Sequence, residues 1–187
     1  MINRPKAIDR EARFNAKRFI LSKTDTRGNI ISANSNLYDI SGYSEKELLG
    51  RQHNILRHPD MPKAIFHLMW RYLLSGREIM VVMKNLTKSG EYYWVVADLK
   101  PRFNEKGTIV AFSSFQKFAT DDIVYEIEEL YEVMLRIEKV HGMRASGEYL
   151  EGFLEERKVT YDGYIYELIK PRGIINSIIN GFKKVTA

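Results

Sequence analysis

A chain of 187 residues can bury one sizeable core and carry helical extensions, and its composition, 44% hydrophobic and 28% charged, excludes a disordered protein. The complete absence of cysteine removes disulfides, thiolate nucleophiles and iron–sulfur ligation, so redox sensitivity would have to reside in a bound cofactor. The net charge of +5 lies largely in residues 1–18 and at the extreme C-terminus, with no basic helix interleaved with aromatics; it reads as solvated surface and argues against nucleic acid.

The charged N-terminus lacks the apolar segment of a signal peptide. No apolar run, such as that at Ile79–Met83, approaches the roughly 20 residues that span a bilayer. The expectation is a cytoplasmic protein. Residues 8–16 read as a short helix. A hairpin follows, with strands at Phe19–Thr24 and Asn29–Ala33 around a turn at Thr26-Arg27-Gly28. Asn34–Gly50 reads as short helices, with a capping box formed by Ser44 and Glu47 and glycine stops at Gly42 and Gly50. After a polar loop at 51–62, Asp60 is placed to cap a helix that starts at Met61 or Pro62 and stops at Gly76. Ile65, Phe66, Met69, Trp70 and Leu73 recur on it at helical spacing. Three strands, Glu78–Leu86, Tyr92–Arg102 and Thr108–Phe118, are joined by short glycine-containing links.

From Thr120 the pattern becomes helical. Ile123, Ile127, Leu130, Met134, Ile137 and Val140 or His141 form a stripe near heptad spacing up to Gly142, which suits packing against a partner helix and, with the apolar tail, implies a homo-oligomer. Two more helical stretches follow, at Ser146–Arg157 and Tyr161–Leu168. An isoleucine-rich tail at 174–182 then reads as packing on the preceding helices or on a receptor, with a membrane-surface helix as the other reading. The order implies an α+β fold: a five-stranded antiparallel sheet with helices on one face, followed by a C-terminal helical extension. Such a sheet commonly encloses a small-ligand pocket beneath its helices.

Asn34 with SGYSEKELLG (41–50), HNILRHPDMPKAIFHLMW (53–70), KNLTKSGEYYWV (84–95) and a helix headed by Thr120-Asp121-Asp122 together resemble a PAS domain, that of bacterial aerotaxis and energy-taxis receptors in particular. The resemblance covers about residues 17–122. It implies a PAS sensor domain at 17–119 between an N-terminal helical cap at 1–16 and a helical signalling or interaction extension at 120–187. It also implies non-covalently bound FAD and redox or energy sensing. Output would be delivered in trans to a membrane-bound chemoreceptor-like partner, through which the protein would be held peripherally at the inner membrane. Carried over by motif, Asn34, Arg57, His58, Asp60, Trp70 and Asn85 are the cofactor-binding or pocket-supporting residues. Arg57 and His58 would meet a pyrophosphate, and Asn34 or Asn85 the hydrogen-bonding edge of the ring. The receptors resembled usually carry a tryptophan where this chain has Ile79 and a glycine where it has Val81.

The same residues also have structural readings. Arg57, His58 and Asp60 suit a salt-bridged loop and helix cap, Trp70 suits the core, Asn85 a sheet edge and Asn34 a helix cap. His67 sits near where haem-binding PAS domains place an axial histidine, which makes haem b the alternative cofactor and gas sensing the alternative function. A ligand-free dimerisation adaptor is the third reading. No phosphate loop, nucleophile triad or HExxH spacing occurs, so the expectation is not an enzyme.

Overall fold

The computed structural model describes residues 4–12 and 18–170. Among them five strands form one antiparallel sheet: β1 (Ile20–Thr24), β2 (Ile30–Ala33), β3 (Ile79–Leu86), β4 (Tyr92–Phe103) and β5 (Ile109–Phe118), in the order β2-β1-β5-β4-β3. Each lies within a residue or so of the bounds read from alternation. Between β2 and β3 come α1 (Ser35–Ser41), α2 (Glu45–Leu48), a 3-10 turn at His53–Leu56 and α3 (Lys63–Leu74).

Side chains alternate across the sheet, which gives it two distinct faces. Ile20, Ser22 and Thr24 of β1, Met83 and Asn85 of β3, Ala97 and Leu99 of β4, and Ser114 and Gln116 of β5 share the inner face, as the registers Ser22↔Ser114, Leu99↔Ser114 and Ala97↔Gln116 require. Helices α1–α3 cover that face. The extension covers part of the other: α4 (Asp121–Glu156) and α5 (Tyr161–Ile169) pack over β3 and β4. Ile123, Ile127, Leu130 and Met134 of the stripe are buried there within one chain, which corrects the expectation of packing on a partner helix: the stripe is an intramolecular seam. α4 is broken at Gly142, whose φ of 82° and ψ of 173° leave the helical region. That left-handed φ is one that glycine adopts without a Cβ penalty, which is why the helix breaks at this residue.

Two further expectations are corrected. Residues 8–12 are not helical. They run extended along the β3–β4 turn, with Glu11 bridging Tyr92 in parallel and the Ile8 N–H donating to the Gly90 carbonyl at 2.8 Å. A Cβ on Gly90 would collide with the Lys6 carbonyl, so this close approach needs glycine. Asp60 does not cap α3. Pro62 occupies the N-cap position, and Glu138 of α4 accepts the Ala64 N–H at 2.8 Å instead. The rest of the expected N-terminal helix and the isoleucine-rich tail lie outside the described residues. No helix among the described residues is long and apolar enough to cross a membrane.

Candidate functional site

Between the inner face of the sheet and α3 lies a cavity of about 240 Å³. α3 contributes its apolar stripe, Phe66, Met69, Trp70 and Leu73, and the strands contribute Met83, Leu99 and Phe112. Against these walls stand polar side chains from the same strands: Ser22, Thr24, Asn85, Ser114 and Gln116. The rim carries Arg27 from the β1–β2 turn and Gln52, Asn54 and Arg57 from the loop before α3. This is a mostly apolar concavity with a few convergent polar groups, the usual form of a small-molecule site.

Several polar groups on the floor lack partners. Asn85 Nδ2 and Gln116 Oε1 are buried with no hydrogen bond, although Gln116 Nε2 donates to Ser114 Oγ at 3.1 Å. A buried amide donor and a buried amide acceptor left open are costly, about 1–3 kcal/mol each, unless something fills them. Beside them the partly buried His53 is tied to Ser22, Nε2 to Oγ at 3.1 Å, and desolvation pulls the imidazole down to about 4 from an ordinary 6.5. It is therefore neutral at physiological pH, one ring nitrogen donating and the other free to accept. Tyr93 lies opposite Asn85 on β4, its hydroxyl equally buried and without a hydrogen bond; burial lifts the phenol above its usual range, against a lowering pull from the neighbouring Asn85 amide.

Three of the six residues carried over by motif meet in this cavity: Arg57, Trp70 and Asn85. An isolated bridge pairs Arg57 with Asn85, which sets the loop against β3. Arg57 donates from Nη2 to the Met61 carbonyl at 2.7 Å and lies over the Phe66 ring at 4.2 Å, and burial lowers its pKa from the ordinary value. Trp70 meets Phe112 edge-on at 5.5 Å and closes the cavity against Gly28, so it is wall and core together. The other three stand apart. Asn34 caps α1, accepting from Leu37 N–H, and ties β1 by accepting from Leu21 N–H. His58 is buried behind β3, where its Nδ1 accepts from Asp60 N–H at 3.1 Å; burial lowers its pKa. The Asp60 side chain is largely exposed and 3.5 Å from that imidazole.

His67 does not face this cavity. It lines a separate groove on the other side of α3, so it cannot serve as an axial ligand within the cavity. Sequence reasoning missed Ser22, Thr24, Ser114 and Gln116. Their signal was present in the alternation: polar residues at the core-facing positions of two paired strands.

Residues 30–116 match the sequence profile described as the PAS fold. The chain carries a PAS domain. The chain is 40% identical over 115 residues to the aerotaxis receptor of Escherichia coli K12, a stretch covering 62% of this chain and 22% of that protein. The nitrogen fixation regulatory protein of Klebsiella oxytoca is 31% identical over 52% of this chain and 20% of its own length. The chain thus spans about a fifth of the length of these curated relatives. Among solved structures, the light state of the Aureochrome1 LOV domain superposes with a TM-score of 0.51 at 21% identity, over 63% of this chain and 91% of that one. A light-oxygen-voltage domain from work on a flavin analogue gives 0.54 at 20%, over 63% and 88%. At these identities the likeness is one of fold.

Proposed function

We propose that this protein is a flavin-binding PAS sensor of redox or energy state that signals in trans to a membrane-bound, chemoreceptor-like partner. The observation that carries the reading is the open pair on the cavity floor, the Asn85 Nδ2 donor and the Gln116 Oε1 acceptor. A ring edge presenting an acceptor beside a donor, as the pyrimidine edge of an isoalloxazine does, satisfies both. Apolar walls from α3 and β3–β5 suit the flat ring, and Arg27 and Arg57 at the rim suit a pyrophosphate, so FAD fits the residues present. His58 and Asp60 tie the loop after Arg57 to itself, and Asn34 holds β1 against α1. The similarity to an aerotaxis receptor supports the sensory reading.

Flavin, when bound, supplies reversible electron uptake with a change in the hydrogen-bonding character of its ring edge. Asn85 and Gln116 orient that edge and exclude water from it. Because each amide can present either oxygen or N–H, a change at the edge is met by a change at β3 or β5. The domain division proposed is sensor at 17–119 and output extension at 120–187. The chain works as a binding and signalling module rather than a catalyst, at the cytoplasmic side, as a homo-oligomer. No observation favours haem.

The test is a titration of the purified chain with FAD, followed by flavin fluorescence. Wild type binds; Gln116→Met and Asn85→Leu, folded by circular dichroism, lose at least about tenfold in affinity, the size of one lost buried hydrogen bond. Unchanged affinity in both variants would overturn the site.

A further inference from the structure

α3 is a partition. One face presents Phe66, Met69, Trp70 and Leu73 to the cavity. The opposite face, with His67, Leu68, Arg71 and Tyr72, forms a groove of about 530 Å³ with residues 143–161 of the extension. A single helix thus separates a ligand site from the surface of the output segment.

The first turn of such a helix has backbone N–H groups without intrahelical partners, and Pro62 at the N-cap position offers no side-chain acceptor. The acceptor comes from 74 residues away, where Glu138 Oε1 takes the Ala64 N–H at 2.8 Å. Arg57 at the cavity rim holds the Met61 carbonyl at 2.7 Å, just ahead of α3; its guanidinium, governed mainly by burial, feels the Glu138 charge only as a minor raising influence. Glu138 therefore sits where the rim arginine, the start of α3 and α4 converge. Four residues later α4 breaks at Gly142, and residues 143–156 pass over the outer face of α3, burying Ser146 and Leu150.

We propose that Glu138 is a coupling residue: it caps α3 from outside the PAS domain, so that a displacement of α3 or Arg57 from the cavity side is passed to the break at Gly142 and to residues 143–156. Coupling of this kind is reciprocal, so whatever holds 143–156 also biases the cavity wall. The device depends on the cavity and not on the chemistry of its occupant; its failure is therefore separate from a failure of the flavin reading.

Amide hydrogen exchange on the full chain tests it. In Glu138→Ala the amides at the start of α3 should exchange about tenfold faster than in wild type, as expected for a lost cap. Phe66→Leu, which alters the cavity wall beneath Arg57, should change exchange across 143–156 when Glu138 is present and leave it unchanged in Glu138→Ala. Glu138→Gln keeps an acceptor and drops the charge; it should fall between, and it preserves the comparison should the alanine variant not fold. Wild-type exchange at the start of α3 in Glu138→Ala, or a Phe66→Leu effect on 143–156 that is absent or equal in both backgrounds, would overturn the proposal.

Discussion

The Lys84 ammonium of β3 lies 3.1 Å from Glu128 of α4, 4.5 Å from the centre of the Tyr92 ring and 5.2 Å from that of Trp94. Its strand neighbours Met83 and Asn85 point the other way, into the cavity, so three consecutive residues join the ligand wall to the extension. The two ends of the ion pair are not equivalent: Lys84 is buried and Glu128 is half exposed. Glu128→Gln keeps an acceptor for the buried ammonium but removes the opposing charge, and is expected to cost about 1–2 kcal/mol. Lys84→Met leaves a carboxylate that water can reach and should cost about 1 kcal/mol or less. Urea denaturation of the two variants checks the order.

Deeper in the same seam, Tyr131 donates to the Val82 carbonyl at 2.8 Å, meets Tyr161 Oη at 3.3 Å and stacks on Trp94. Tyr131→Phe keeps the packing and strips a buried carbonyl of its donor. The expected loss is about 1–2 kcal/mol by chemical denaturation, with Tyr161→Phe costing less because the contact it removes is the longer one.

Two desolvated groups give opposing acid responses. His53 titrates at about 4 when folded against an ordinary 6.5, so between those values the unfolded chain binds a proton that the native chain does not. That contribution rises with pH and is lost on acidification. Asp98 is pushed up to about 6 from 3.8, chiefly by burial and against the pull of Lys100. Between those values the native chain holds the extra proton, so that contribution falls as pH rises. Asp98→Asn should therefore gain stability at neutral pH and show a steeper acid loss. His53→Gln should flatten that loss. Denaturation midpoints at about pH 4.5 and about pH 7 separate the two.

The open amides carry a stability cost in the ligand-free protein. Replacing Gln116 by methionine, of similar shape and without unmet polar atoms, is expected to raise ligand-free stability by about 1 kcal/mol while removing ligand binding. A thermal melt without ligand checks the first half; a loss of stability would mean that Gln116 is already satisfied.

Much of this architecture was legible. Strand alternation, the glycine stops and the Ser44–Glu47 capping box, in which the Glu47 carboxylate accepts from Ser44 N–H at 2.9 Å, are local signals. The site was legible only in part. Arg57, Trp70 and Asn85 came from motif resemblance, whereas Gln116 and Ser22 look like ordinary strand polars until pairing shows that they face inward. Asp60 was read as the cap of α3 because a sequence reveals only nearby acceptors; Glu138 arrives through tertiary packing. The extended run of residues 8–12 likewise reflects a docking edge at Gly90 and Tyr92 that outweighs local helix preference.

The most direct measurement is the visible absorption spectrum of the purified chain after incubation with FAD and removal of the excess, recorded before and after dithionite. Protein-bound absorption in the blue that bleaches on reduction and returns in air is the expected result. A folded protein that retains no flavin, or one whose colour is a sharp Soret band, would contradict the account.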